Sequence, residues 1–96
     1  MIKGKTKNGF SYEINEKVLD DWDVVTMLDN VRRNKTSMAE INALFEALIS
    51  REAFAKLKDA VRERNEDGIV NYEAMVEELK DILSNEKIKN YHSSHK

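Results

Sequence analysis

The 96-residue sequence contains no cysteine, no proline and only three glycines. The absence of cysteine excludes a disulfide framework, a thiolate metal site and a thiol nucleophile. The absence of proline leaves no rigid linker to divide a chain that has the length of one domain. No apolar run approaches the roughly 20 residues of a membrane-spanning helix, and the first residues lack the apolar stretch of a signal peptide. We therefore expect a single-domain cytoplasmic protein with no membrane partner.

The composition is otherwise that of a chain that can form one core. Hydrophobic residues make up 41% and charged residues 35% of the sequence, with a formal net charge of -2. Such a chain is not expected to be disordered throughout. The small negative charge argues against a dedicated nucleic-acid binder, because such proteins usually carry a clear basic excess.

The N-terminal segment predicts a β-hairpin. Asn8-Gly9 favours a two-residue type I′ turn, in which both turn residues take positive φ. After the turn, Phe10, Tyr12 and Ile14 alternate with polar residues and should share one buried face. Before the turn, three lysines lie on the face opposite to Ile2: Lys3, Lys5 and Lys7. Lysines on an exposed strand discourage pairing with other chains.

Hydrophobic spacing and cap residues predict four helices after the hairpin. The first spans about residues 16 to 33, with Asn15 or Asp20 as N-cap and a break expected near Asp20. The second spans Met38–Ile49, where Ser37 and Glu40 form a predicted capping box. The third spans about residues 51 to 64 after a Ser50 cap. The fourth runs from an Asn71 cap to about residue 83.

These elements define the expected fold, which is mainly α (α+β). A hairpin packs on a bundle of about four helices, with the Met38–Ile49 helix central because it is apolar on nearly all sides. Residues 1 to 85 form the single domain. Residues 86 to 96 are polar and are predicted to be a disordered tail.

Two groups of residues invite a metal hypothesis, and neither fits well. If Gly68 is placed at the sixth position of a calcium loop, then Glu63, Asn65 and Asp67 fall at positions one, three and five. The twelfth position, which should supply a bidentate carboxylate, is then Ala74. His92 and His95 lie in the polar tail with no carboxylate or thiol organised around them. We expect no metal and no cofactor.

Catalysis finds little support in the sequence. The acidic residues lie in polar stretches or at helix ends, where they are not expected to be desolvated, and the three glycines are too far apart to form a phosphate loop. We therefore predict that the protein is not an enzyme. Its helical apolar surface instead favours binding to another protein.

Trp22 is the only tryptophan. We place it in or beside the core with Val18 and Val25, and the alternative interpretation is a binding hot spot, where tryptophan is enriched. Five residues are candidates for core or partner contact, without separation of the two roles: Trp22, Leu28, Leu44, Phe45 and Leu48.

Two segments resemble small proteins from the tail gene region of long-tailed phages and prophages. The first is Gly9-Phe10-Ser11-Tyr12-Glu13-Ile14 with Val18-Leu19-Asp20-Asp21-Trp22 after it. The second is Asp67-Gly68-Ile69-Val70-Asn71-Tyr72-Glu73-Ala74-Met75, where an Asp-Gly turn leads into the last helix. The resemblance is to the tail assembly chaperones and spans about residues 2 to 83 discontinuously.

The resemblance implies a helical protein that binds the tape measure protein, a long apolar helical chain, and keeps it soluble in the host cytoplasm during virion assembly. It implies no catalytic residues and no cofactor. Two alternatives stay open from the residues themselves. One is a small regulatory nucleic-acid binder that uses Arg32, Arg33 and Lys35 with the hairpin lysines. The other is a structural virion subunit or homo-oligomer.

Overall fold

A computed structural model describes residues 1 to 91. Two strands, Ile2–Lys5 (β1) and Ser11–Ile14 (β2), precede a 3-10 helix at Glu16–Asp20. Five α-helices follow: Trp22–Arg32 (α1), Met38–Ile49 (α2), Arg51–Arg64 (α3), Tyr72–Leu83 (α4) and Glu86–Lys89 (α5). The predicted mainly α fold with an N-terminal hairpin is confirmed.

The hairpin is antiparallel, with Ile2 opposite Ile14 and Lys5 opposite Ser11. Ile2, Tyr12 and Ile14 are buried, whereas the lysines of β1 are exposed. The two-residue alternation of the sequence is therefore realised as one face on the helices and one face in solvent. This confirms the predicted faces of the strands.

The turn between the strands differs from the predicted type I′ turn. Gly9 has a φ of 94°, but Asn8 is not among the positive-φ residues of the described chain. The Gly9 N–H donates to the Thr6 carbonyl at 2.9 Å, and the Thr6 N–H donates to the Phe10 carbonyl at 2.9 Å. This pattern is a three-residue loop with a bulge at glycine. Thr6 favours it, because its buried hydroxyl also accepts the Phe10 N–H at 3.2 Å.

The predicted break in the first helical region is confirmed. The Asn15 side chain caps the 3-10 helix by accepting from the Lys17 N–H. The cap of α1 is Asp21, one residue after the predicted Asp20, and its carboxylate accepts from the backbone N–H groups of Asp23 and Val24. A carboxylate at this position satisfies free backbone donors and complements the helix dipole.

Helices α2 and α3 have the predicted bounds and are joined through a single residue, Ser50. Ser37 caps α2 and Ser50 caps α3 through their hydroxyl oxygens. The predicted capping box is only half formed, since the Glu40 carboxylate accepts from the Asn30 side chain at 2.8 Å instead. Ser50 takes φ 85° and ψ 157°, a region that residues other than glycine enter at a cost.

The chain after α4 is more ordered than the sequence suggested. Asn71 caps α4 as predicted. The predicted disordered tail instead begins with α5, where Asn85 accepts the Lys87 N–H and Ile88 is buried. Hydrogen bonds of Asn85 to the Tyr12 hydroxyl and of the Tyr91 hydroxyl to Asp20 also hold this turn on the domain. His92, His95 and the rest of the predicted tail lie outside the described residues.

The core forms around α2, which contacts α1, α3 and β2. Leu44 and Phe45 are fully buried, and the Phe45 and Phe54 rings stack with their centroids 4.7 Å apart. The predicted central position of α2 agrees with these contacts. The helix is nevertheless not enclosed on all sides, because Met38 and Ala43 are exposed.

A polar seam holds the hairpin against α4. It consists of three pairs: Asn8 with Glu78 at 3.4 Å, the Lys7 N–H with Asp81 at 3.0 Å, and Asn85 with the Tyr12 hydroxyl at 3.1 Å. Glu78 and Asp81 are three residues apart and so lie on one face of α4, and Asn85 follows as the N-cap of α5. The seam joins segments about 70 residues apart in the chain.

Candidate functional site

The structure separates the five predicted contact residues into two groups. Four of them lie in the core, with exposed fractions of 8% or less: Leu28, Leu44, Phe45 and Leu48. Their side chains stabilise the domain, although Phe45 and Leu28 also border surface depressions described below. Trp22 is 81% exposed, so its predicted place in or beside the core is wrong.

The exposure of Trp22 follows from its place on α1 relative to the buried residues of that helix. Because Asp21 caps the helix, Trp22 is its first residue, and the buried positions are Val24 and Leu28. Each residue turns the helix by about 100°. Val24 therefore points roughly 200° away from Trp22, and burial of one leaves the other in solvent.

An apolar groove lies between α2, α3 and the start of α4 and has a volume of about 320 Å³. We call it the α2–α4 groove. It is lined mainly by apolar side chains: Met38, Ile41, Phe45, Phe54, Val70, Tyr72, Met75 and Val76, with Asn42, Lys58 and Asn71.

The floor of the α2–α4 groove is buried and aromatic, and its rim is exposed. The stacked rings of Phe45 and Phe54 form the floor, and the Lys58 ammonium lies 4.6 Å from the centroid of the Phe54 ring. Met38 and Tyr72 stand on the rim with exposed fractions of 56% and 58%. Large apolar side chains left in solvent beside an apolar floor are typical of a binding surface.

Both rim residues begin their helices. Met38 is the first residue of α2, and Tyr72 is the first residue of α4. At that position a side chain has no preceding helical turn beside it, and Met38 and Tyr72 are both left exposed. The sequence marked both residues as apolar but did not reveal this placement, because the groove exists only once α2 and α4 meet across α3.

The lining of the groove is suited to apolar contact with a partner. Lys58 is its one charged lining residue within the described chain, and its ammonium is held over an aromatic face. Methionine and aromatic side chains adapt to apolar ligands of varied shape. The groove can therefore accept apolar side chains from a partner.

The acidic turn before α4 uses its polar groups to shape the backbone. The Asn65 amide donates to the Ile69 carbonyl at 2.6 Å, and the Asp67 carboxylate accepts the Ile69 N–H at 2.9 Å. Gly68 takes a φ of 69°, a left-handed conformation that glycine adopts without steric cost. Within residues 1 to 91, no group of three or more acidic or histidine residues is placed to hold a metal ion.

One titratable pair joins the C-terminal end of the described chain to the 3-10 helix. The Tyr91 hydroxyl donates to the Asp20 carboxylate at 2.9 Å. This hydrogen bond and the negative charge of Asp20 both favour the protonated phenol, so they raise the pKa of Tyr91 above its ordinary value.

Comparison with protein-family models, with curated proteins and with solved structures gives no match to this chain. In the part of the chain that the structure describes, no helix is both long and apolar enough to span a membrane. Any functional conclusion therefore depends on the residues and their arrangement.

Proposed function

We propose that this protein is a non-enzymatic, chaperone-like binding protein of phage tail assembly. Its partner would be an apolar helical segment of the tape measure protein, held in the α2–α4 groove in the host cytoplasm. The main support is the groove itself, an apolar floor with Met38 and Tyr72 exposed on its rim. The second support is the resemblance of residues 9 to 22 and 67 to 75 to tail assembly chaperones.

The groove suits an amphipathic helix. Such a helix lays apolar side chains spaced three and four residues apart into a groove between other helices. Each large apolar side chain that is fully buried contributes about 1.5–3 kcal/mol. Three such anchors give roughly 5–9 kcal/mol against an association cost of about 4 kcal/mol or more. The net affinity is modest, which suits a partner that must later be released into the tail.

The experiment is co-expression with the tape measure protein from the same tail gene region. The wild-type chain is expected to raise the soluble fraction of the tape measure protein and to co-purify with it. The double variant Met38→Glu and Tyr72→Glu places charge on the groove rim and should abolish both effects. Glutamate is compatible with folding at both sites, because it begins a helix there and complements the dipole.

Trp22→Glu is the matched control. Trp22 is also an exposed first residue of a helix, so this change adds the same charge at the same helix position as each of the two rim changes does. This variant should bind like the wild type. Loss of binding in Trp22→Glu with retention in the rim variant would assign the contact to Trp22 and refute the groove.

The nucleic-acid alternative gains no support from the arrangement of charge. Lys3 pairs with Glu13, and Arg33 pairs with Asp29 at 3.0 Å, so part of the predicted basic set is neutralised locally. A mobility-shift titration at low salt tests this alternative, since phosphate binding would weaken steeply as salt rises. Sedimentation velocity tests the homo-oligomer alternative.

A further inference from the structure

A second cleft lies at the other end of α4, between the 3-10 helix, α1 and α5, with a volume of about 400 Å³. We call it the α1–α5 cleft. Its wall is aliphatic and consists of five side chains: Leu19, Leu28, Val31, Leu83 and Ile88. It shares no residue with the α2–α4 groove, because α4 lines the groove near Tyr72 and the cleft near Leu83.

The charged residues around this cleft are all basic. Arg32, Lys80 and Lys89 line it, all three are exposed, and no acidic residue lines it. None of the three belongs to the salt bridges found within residues 1 to 91, whereas cations elsewhere, such as Arg62 and Arg64, pair with carboxylates. Three unpaired positive charges thus surround an apolar wall on a chain whose net charge is -2.

We propose that the α1–α5 cleft binds an acidic amphipathic helix of another protein. Apolar side chains of that helix would contact the aliphatic wall, and its carboxylates would pair with Arg32, Lys80 and Lys89. Charge complementarity of this kind directs encounter and fixes the orientation of a partner. A nucleic acid would satisfy the three cations but would leave the aliphatic wall without an apolar partner. The inference does not depend on the function of the α2–α4 groove.

The test uses two fluorescent peptides of about 18 residues, which is long enough to support an isolated helix. Both carry leucine along one face; the first carries glutamate on the other face and the second carries glutamine there. By fluorescence anisotropy, the glutamate peptide is expected to bind at least about tenfold more tightly than the glutamine peptide. Its affinity should fall as salt rises, because exposed ion pairs are screened.

Variants locate the binding. The triple variant Arg32→Gln, Lys80→Gln and Lys89→Gln should weaken binding of the glutamate peptide about tenfold. The matched control Lys5→Gln, Lys17→Gln and Lys35→Gln removes the same charge from exposed sites outside the cleft and should change affinity less than about twofold. Circular dichroism checks that both variants fold. Equal weakening by the two triple variants would overturn the proposal, because the attraction would then come from overall charge.

Three further outcomes bear on the identity of the partner. Equal affinity for the two peptides would overturn the role of the basic residues. Self-association of the peptide-free protein that is lost in the cleft variant would identify a second copy of this chain as the partner, and displacement of the peptide by an oligonucleotide would identify a nucleic acid. Either result would overturn the proposal. The rim variant Met38→Glu and Tyr72→Glu should bind the peptide normally, which separates this test from that of the groove.

Discussion

Replacing Arg64 by methionine is expected to destabilise the protein far more than replacing Glu78, although the two residues form one ion pair. The Glu78 side chain is fully buried, and its Oε1 accepts from the Arg64 guanidinium at 3.1 Å. Its Oε2 is buried with no hydrogen-bond partner within residues 1 to 91. The Arg64 side chain is 34% exposed and can reach water when its partner is lost.

The magnitudes follow from this asymmetry. Removing one partner of a buried ion pair costs about 3–5 kcal/mol, because the other charge stays buried alone. Since the Arg64 side chain is partly exposed, solvent already screens part of its interaction with Glu78. We therefore expect Arg64→Met to lower the free energy of unfolding by about 2–3 kcal/mol. Glu78→Met removes the buried charge itself and loses the weak Asn8 contact, so we expect a cost of about 0–1 kcal/mol. The double variant should match Glu78→Met.

Urea denaturation followed by far-UV circular dichroism measures these costs. Tryptophan emission is a poor probe here, because Trp22 is exposed in the native state. With a urea slope of about 1 kcal/mol/M, Arg64→Met should lower the midpoint by about 2–3 M. The reasoning is refuted if Glu78→Met costs as much as Arg64→Met, or if the double variant costs the sum of the two single variants.

Three further changes test local features of the fold. Ser50→Gly should raise the free energy of unfolding by about 1 kcal/mol, because glycine relieves the strained φ and costs only a few tenths of a kcal/mol as an N-cap. Ser50→Ala keeps the strain and loses the cap, so it should lower the free energy of unfolding; thermal denaturation compares the two variants. Gly4→Ala should cost about 1–3 kcal/mol, because its Cβ would meet the Tyr12 phenol; an unchanged urea midpoint would contradict this. Asp20→Asn should lower the raised pKa of Tyr91 in an NMR titration. The raised value means that this contact stabilises the fold below the ordinary tyrosine pKa and is lost as pH rises through the folded-state pKa.

Local signals in the sequence were sufficient to place most helix ends. Ser37, Ser50 and Asn71 each offer a short polar side chain before an apolar run, and each caps a helix in the structure. Such caps depend on neighbouring backbone groups alone, so the sequence can reveal them. The same is true of the strand faces, which follow the alternation around Tyr12.

Features that depend on tertiary contacts were not predictable in the same way. Packing buries the face of α1 that carries Val24 and Leu28, and Trp22 lies in solvent as a result. The expectation that the acidic residues are not desolvated is wrong for Glu78, because a glutamate in an amphipathic helix gives no sign that Arg64 and Asn8 will enclose it. The groove and the cleft likewise arise from helices that meet in space.

The seam between the hairpin and α4 has a consequence for the order of folding during synthesis. The strands bury Ile2, Tyr12 and Ile14, but an isolated hairpin is not stable in water. Its polar partners at Glu78, Asp81 and Asn85 are translated at least 70 residues later. Once α2 has been made, the nascent hairpin can pack on it but still lacks its polar partners, so closure of the domain waits until α4 and Asn85 have left the exit tunnel.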